Sequence, residues 1–210
     1  MPDITQLPDQ RPLLIYLHGF LSSPQSFKCQ LLKDWLRDNH PEIIFYAPLV
    51  SPYPGEASAA LGGMLEALLS THQGPIGLVG SSMGGFWCTW LAEQHKLPAV
   101  LVNPAVRPAR FMPKYIGQDL LPYSGEPQTY RLQAADVDTM QRLEQTIPED
   151  LQGRYWLLAQ RGDETLDCRE AEAFYMGQRQ TVEEGGDHSF QGFARYSAAL
   201  VDFLFTNNNI

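Results

Sequence analysis

Ile76-Gly77-Leu78-Val79-Gly80-Ser81-Ser82-Met83-Gly84-Gly85 decides the fold of this chain. Its first four residues form an apolar run of the length of a buried strand. Its centre, Gly80-Ser81-Ser82-Met83-Gly84, spells Gly-x-Ser-x-Gly. The following stretch, Gly85 to His95, reads as a helix. A serine on a sharp strand-to-helix turn is held in a strained backbone conformation with its hydroxyl exposed above the sheet. Glycines on either side bring no Cβ into that turn. The first N–H groups of the helix then face the place where an oxyanion would form. The five-residue pattern also recurs by chance; the strand before it and the helix after it give it meaning here.

Outward from this stretch, apolar runs and helical spacings alternate. Leu13–Leu17 is a predicted strand that ends in His18-Gly19-Phe20. Ser23-Pro24 reads as an N-cap and first helical residue, opening a helix to about Asn39. Further strands are expected at Ile43–Ala47, Ala99–Val102, Tyr155–Ala159 and Gln180–Val182. Further helices are expected over Ala57–Thr71, Asp167–Met176 and Ser189–Phe205. Such alternation means an α/β fold: a parallel sheet of about six strands with helices on both faces. Between 104 and 153 the pattern breaks. Prolines at 104, 108, 113, 122 and 127 and tyrosines at 115, 123 and 130 precede a short helical stretch near Asp138–Gln145. A long irregular connection in a compact domain is usually functional. The expectation is one domain over 1–210, with a cap inserted at about 104–153.

The net charge of −9 disfavours nucleic acid and anionic membrane surfaces as partners. No apolar stretch has the length of a membrane span. Met1 to Gln10 has neither a basic nor an apolar region, so no signal peptide is expected. Cys29, Cys88 and Cys168 are odd in number and far apart, which suits reduced thiols in a cytoplasmic protein better than disulfides or zinc.

A nucleophilic serine needs a base and an orienting acid, and open parallel sheets gather such groups at the carboxyl ends of their strands. His188 follows the last strand in a glycine-loosened loop, and Asp163 follows the strand before it. Ser82, Asp163 and His188 thus run in the order of an α/β-hydrolase triad. Asp167 competes for the acid, but Asp167-Cys168-Arg169-Glu170 resembles a helix capping box, which accounts for it. The N–H groups of Phe20 and Met83 are the expected oxyanion donors. His18 is expected to shape the oxyanion loop, as a buried histidine hydrogen-bonded to backbone, and to adjoin substrate. Tyr115, with Tyr123 and Tyr130, would roof the site. Arg107, Arg110 and Lys114 form a basic cluster that reads first as a solvated face, with a phosphate-bearing substrate as the alternative reading. The chemistry requires no metal or cofactor, and the expected partner is a small ester or thioester.

Five blocks carry a resemblance: Leu17 to Pro24, Val79 to Gly85, Val102 to Pro108, Gly162 to Asp167 and Gly185 to Phe190. Together they resemble the YqiA-type bacterial esterase group of the α/β-hydrolases, from Leu13 to Phe205. The resemblance implies a cytoplasmic serine esterase acting on short acyl esters, with Ser82, Asp163 and His188 as its triad. An acyl-CoA thioesterase using the same triad is the alternative. A non-catalytic binding protein of the same fold is the reading from another class, although no triad member is missing.

Overall fold

Six strands, β1 (Leu13–Leu17), β2 (Ile44–Tyr46), β3 (Ile76–Ser81), β4 (Pro98–Val102), β5 (Arg154–Gln160) and β6 (Arg179–Glu183), form one sheet. Every pairing is parallel, and the order is β2-β1-β3-β4-β5-β6. The computed structural model describes residues 9–125 and 127–206. The leaderless reading of Met1 to Gln10 therefore falls largely outside the described residues.

Alternation along the strands divides the core. Leu13, Ile15 and Leu17 face one side, with α2 (Pro54–Thr71), α3 (Met83–His95), α4 (Ala134–Gln145) and α5 (Cys168–Phe174). Leu14 and Tyr16 face the other, with α1 (Phe27–Asn39) and α6 (Ser197–Phe205). β1 and β3 are buried along their whole length, as central parallel strands must be when helices cover both faces. Among the described residues no helix is long and apolar enough to cross a membrane.

Several element starts differ from the sequence expectation. α1 begins at Phe27, with Ser26 as its N-cap residue. Ser23 and Pro24 instead make a turn, closed by Ser26 N–H donating to Ser23 O at 3.0 Å. The final helix begins at Ser197 rather than Ser189. Phe190 and Gly192 have positive φ, 60° and 73°, which an α-helix cannot contain. A 3₁₀ turn over Phe193–Tyr196 leads into α6. α4 starts earlier than expected, at Ala134, where Gln133 and Asp136 close a capping box.

The chain between β4 and β5 carries two 3₁₀ turns (Pro108–Arg110 and Met112–Tyr115), two isolated bridges and α4. Met112, Leu120, Leu132, Val137 and Met140 bury it in the same apolar cluster as α2 and α3.

Candidate active site

Ser82 stands between β3 and α3 with φ 56° and ψ −122°, a conformation that costs a non-glycine residue on the order of 1–3 kcal/mol. The surroundings hold it there. Its N–H donates to Val102 O at 3.0 Å, and its carbonyl accepts from Gly85 N–H and Ala105 N–H at 2.9 and 3.0 Å. α3 must then cross β1 closely: a Cβ on Gly84 would overlap the Leu17 carbonyl. The loop after β1 touches Ser82 as well, since a Cβ on Gly19 would lie 3.3 Å from Ser82 Cβ and 3.7 Å from its Oγ.

His188 Nε2 lies 3.0 Å from Ser82 Oγ, and its Nδ1 lies 2.8 Å from Asp163 Oδ2. A proton on Nδ1 donated to the carboxylate leaves Nε2 as the acceptor for the serine hydroxyl. The Asp163 side chain is 2% exposed. Its Oδ1 also accepts from Thr165 N–H and Leu166 N–H at 2.8 and 2.9 Å, so it points at the imidazole in one orientation. Asp167 is turned elsewhere: it caps α5, accepting from Arg169 N–H at 3.0 Å.

Two buried amides hold the His188 loop. Asn103 follows β4 with φ 41° and is 3% exposed. Its Oδ1 accepts from Gln160 N–H at 2.9 Å, and its Nδ2 donates to Asp187 O at 2.9 Å and His188 O at 3.3 Å. Gln160 Oε1 accepts from Gln191 N–H at 2.7 Å, and its Nε2 donates to Gln191 O at 2.9 Å. Glu164 accepts the His188 N–H at 3.0 Å. Sequence reasoning missed Asn103 and Gln160. The one available signal was a polar residue closing each of two apolar strands.

A cleft of about 310 Å³ opens at Ser82 and His188. Phe20, Met83, Phe111, Tyr115 and Tyr123 line part of it. Phe20 and Tyr115 pack with ring centroids 5.4 Å apart. Met83 opens α3, so its N–H has no intrahelical acceptor. Tyr123 N–H donates to Leu21 O at 2.8 Å, tying the segment after β4 to the loop after β1.

Other expected site residues lie elsewhere. His18 is 2% exposed and both ring nitrogens are occupied: Nδ1–H donates to Gly19 O and Nε2 accepts from Val50 N–H, each at 2.9 Å. Burial holds its pKa below the ordinary value, against the opposing hydrogen bond to Gly19. It shapes the loop as a neutral scaffold residue and does not line the cleft. Tyr130 packs edge-on against Tyr53 at 5.9 Å. Of the basic residues only Lys114 lines the cleft beside Ser82; Arg107 and Arg110 both act on Glu144 through space, Arg107 lining a separate hollow with it and Arg110 pairing with Glu170 at 3.0 Å. Among the described residues no group of three or more His, Cys, Asp or Glu could hold a metal ion.

The architecture is shared with solved hydrolase-fold proteins. Est1E from Butyrivibrio proteoclasticus superposes with a TM-score of 0.69 at 16% identity, over 94% of this chain and 88% of that one. Mouse alpha/beta hydrolase domain-containing protein 10 gives 0.67 at 16% identity, over 96% and 95%. Acetyl xylan esterase 1 from Thermoanaerobacterium sp. JW/SL YS485 gives 0.63 at 12% identity, over 96% and 77%. At such identities the likeness establishes the α/β-hydrolase fold. The model of an uncharacterised protein family, UPF0227, matches residues 13–205, from the first residue of β1 to the last of α6. The chain, as its YqiA-type blocks suggested, is therefore an α/β-hydrolase-fold member of the UPF0227 family.

Proposed function

We propose that this protein is a serine hydrolase that cleaves short carboxylic esters through an acyl-enzyme on Ser82. One observation carries the reading: a strained serine 3.0 Å from an imidazole whose other nitrogen is 2.8 Å from a buried carboxylate. In the proposed cycle His188 takes the Ser82 proton and the alkoxide attacks the ester carbonyl. The N–H groups of Phe20 and Met83 receive the oxyanion. His188 returns the proton to the departing alcohol, and water then repeats the sequence on the acyl-enzyme. Asp163 holds the tautomer and stabilises the imidazolium. The segment between β4 and β5 acts as a cap, with Tyr115 and Tyr123 bounding the acyl site. A cytoplasmic setting, with a small acyl ester as the partner and neither nucleic acid nor a membrane, is part of the same reading.

A CoA thioester would call for Arg107, Arg110 and Lys114 in one place. Only Lys114 of the three lines the cleft, so the carboxylic ester is preferred. Labelling with a fluorophosphonate tests the assignment. Wild type and Ser70→Ala, on the exposed face of α2, should label fully, and Ser82→Ala should lose both labelling and hydrolysis. Full labelling of Ser82→Ala would move the nucleophile elsewhere.

A further inference from the structure

The cleft beside Ser82 has two unlike walls. Phe20, Phe111, Tyr115 and Tyr123 make one of them aromatic, with Lys114 Nζ lying over the Phe111 and Tyr115 rings. The other is formed by Tyr16, Ser22, Ser26, Lys28 and Ser81. Acyl transfer needs none of this second group, and all of its side chains can donate hydrogen bonds.

Tyr16 is 1% exposed, yet its hydroxyl has no hydrogen-bond partner among the described residues. The hydroxyls of Ser81 and Ser26 adjoin it without meeting hydrogen-bond geometry. A buried polar group without a partner is costly, and a ligand acceptor is one way such a group is satisfied. Lys28 Nζ donates to Ser189 O at 2.8 Å, which leaves two further donors on the ammonium. Among the described residues Lys28 is in no salt bridge. Two carboxylates act on it through space: Asp163, engaged with His188, and Asp187, whose Oδ2 accepts from Gln191 and whose buried Oδ1 has no hydrogen-bond partner among the described residues. Burial lowers the Lys28 pKa to about 8, against the opposing charges of Asp187 and Asp163, the mark of a cation deprived of water. The first turn of α1, which contains Lys28, carries no acidic residue, and the positive end of the helix dipole adds to the local field.

We propose that this wall binds a carboxylate carried by the substrate, so that the protein prefers esters with an anionic group close to the scissile bond. The proposal rests on the esterase reading. Lys28 supplies the charge, and the Tyr16 and Ser26 hydroxyls supply hydrogen bonds to the two carboxylate oxygens. The wall ends at Ser189, next to His188, so the carboxylate sits within a few bonds of the reacting carbonyl. It can belong to the acyl part, as in a half-ester of a dicarboxylic acid, or to the alcohol part, as in an acylated hydroxy acid.

Two matched pairs separate these cases. Mono-4-nitrophenyl glutarate against 4-nitrophenyl valerate places the carboxylate on the acyl side. The butyryl ester of 4-hydroxybenzoate against that of 4-hydroxybenzamide places it on the alcohol side. The quantity read is the ratio of kcat/KM, anionic over neutral, in wild type, Lys28→Met and Tyr16→Phe. In one pair the wild-type ratio should exceed about 10, fall about tenfold or more in Lys28→Met and about threefold in Tyr16→Phe. A ratio cancels any general effect of losing the Lys28–Ser189 bond, which a purely structural lysine would show on both esters alike. Tyr16→Phe, which keeps the ring, carries the comparison if Lys28→Met fails to fold. Wild-type ratios at or below about 1 in both pairs, or ratios unchanged by substitution, overturn the carboxylate site. Fluorophosphonate labelling of the same preparations tells the two failures apart. Labelled wild type without a carboxylate preference overturns this site alone; unlabelled wild type overturns the esterase reading and this proposal with it.

Discussion

Asp163 and Asp167 stand four positions apart and have different partners. Asp163 holds an imidazole and two backbone N–H groups, whereas Asp167 caps a helix. Asp163→Asn should favour the wrong imidazole tautomer and lower kcat by about 10⁴, with the protein still folded by circular dichroism. Asp167→Asn replaces one good capping residue by another and should shift stability by less than about 1 kcal/mol. Kinetics and urea melts of the two variants check the pair, and the reverse ranking would reassign the acid. Ser82, His188 and the competing acids were legible because each sits in a local pattern: a glycine-flanked turn, a glycine loop, a capping box. Asn103 and Lys28 were not. Their partners lie 84 and 161 positions away, and nothing local to either residue encodes a contact made only by the folded sheet. Which of the basic residues meets the cleft was not legible either: Lys114 lines it, whereas Arg107 and Arg110, one turn earlier, act on Glu144.

At the scale of elements, the constraints on α3 and α2 are opposite. Gly84 lets α3 lie against β1, and a side chain there would meet backbone, which cannot rotate away. Gly84→Ala should therefore destabilise the protein by about 3 kcal/mol or more. Gly63, in the middle of α2, would place a Cβ with nothing within 4 Å, so Gly63→Ala should stabilise by about 1 kcal/mol. Urea unfolding of both variants reads the two signs, and equal effects would refute the close crossing. The six strands and five of the six helices were legible nearly in place, because the period of apolar residues states how each element packs. The late start of α6 was not, because Phe190 and Gly192 adopt positive φ where the His188 loop is held by Asn103 and Gln160. The segment after β4 was legible only as an interruption. Its tyrosines divide, with Tyr115 and Tyr123 at the cleft and Tyr130 against Tyr53, a division that spacing alone does not encode.

For the whole molecule, Lys28 couples the site to stability. Its pKa falls from an ordinary 10.5 to about 8 on folding. Between those values the unfolded chain binds more protons than the native one, so this group makes stability rise with pH from about 8 towards 10. Below about pH 8 the native state carries the full cost of a buried ammonium. Lys28→Met should remove this contribution, so its stability relative to wild type should be highest near pH 7.5 and decline towards pH 9.5. Urea melts at the two pH values give the comparison, and a difference independent of pH would show that Lys28 titrates normally. The sheet itself has a seam. β1 to β4 precede the long insertion and bring Ser82; β5 and β6 follow it and bring Asp163 and His188. The halves meet where β4 pairs with β5 and where Asn103 donates to Leu158 O and accepts from Gln160 N–H. In the proposed mechanism neither half alone holds both the nucleophile and the base, so turnover doubles as a built-in reporter of assembly: a chain cut within the insertion should hydrolyse esters only when its two fragments have rejoined along that seam.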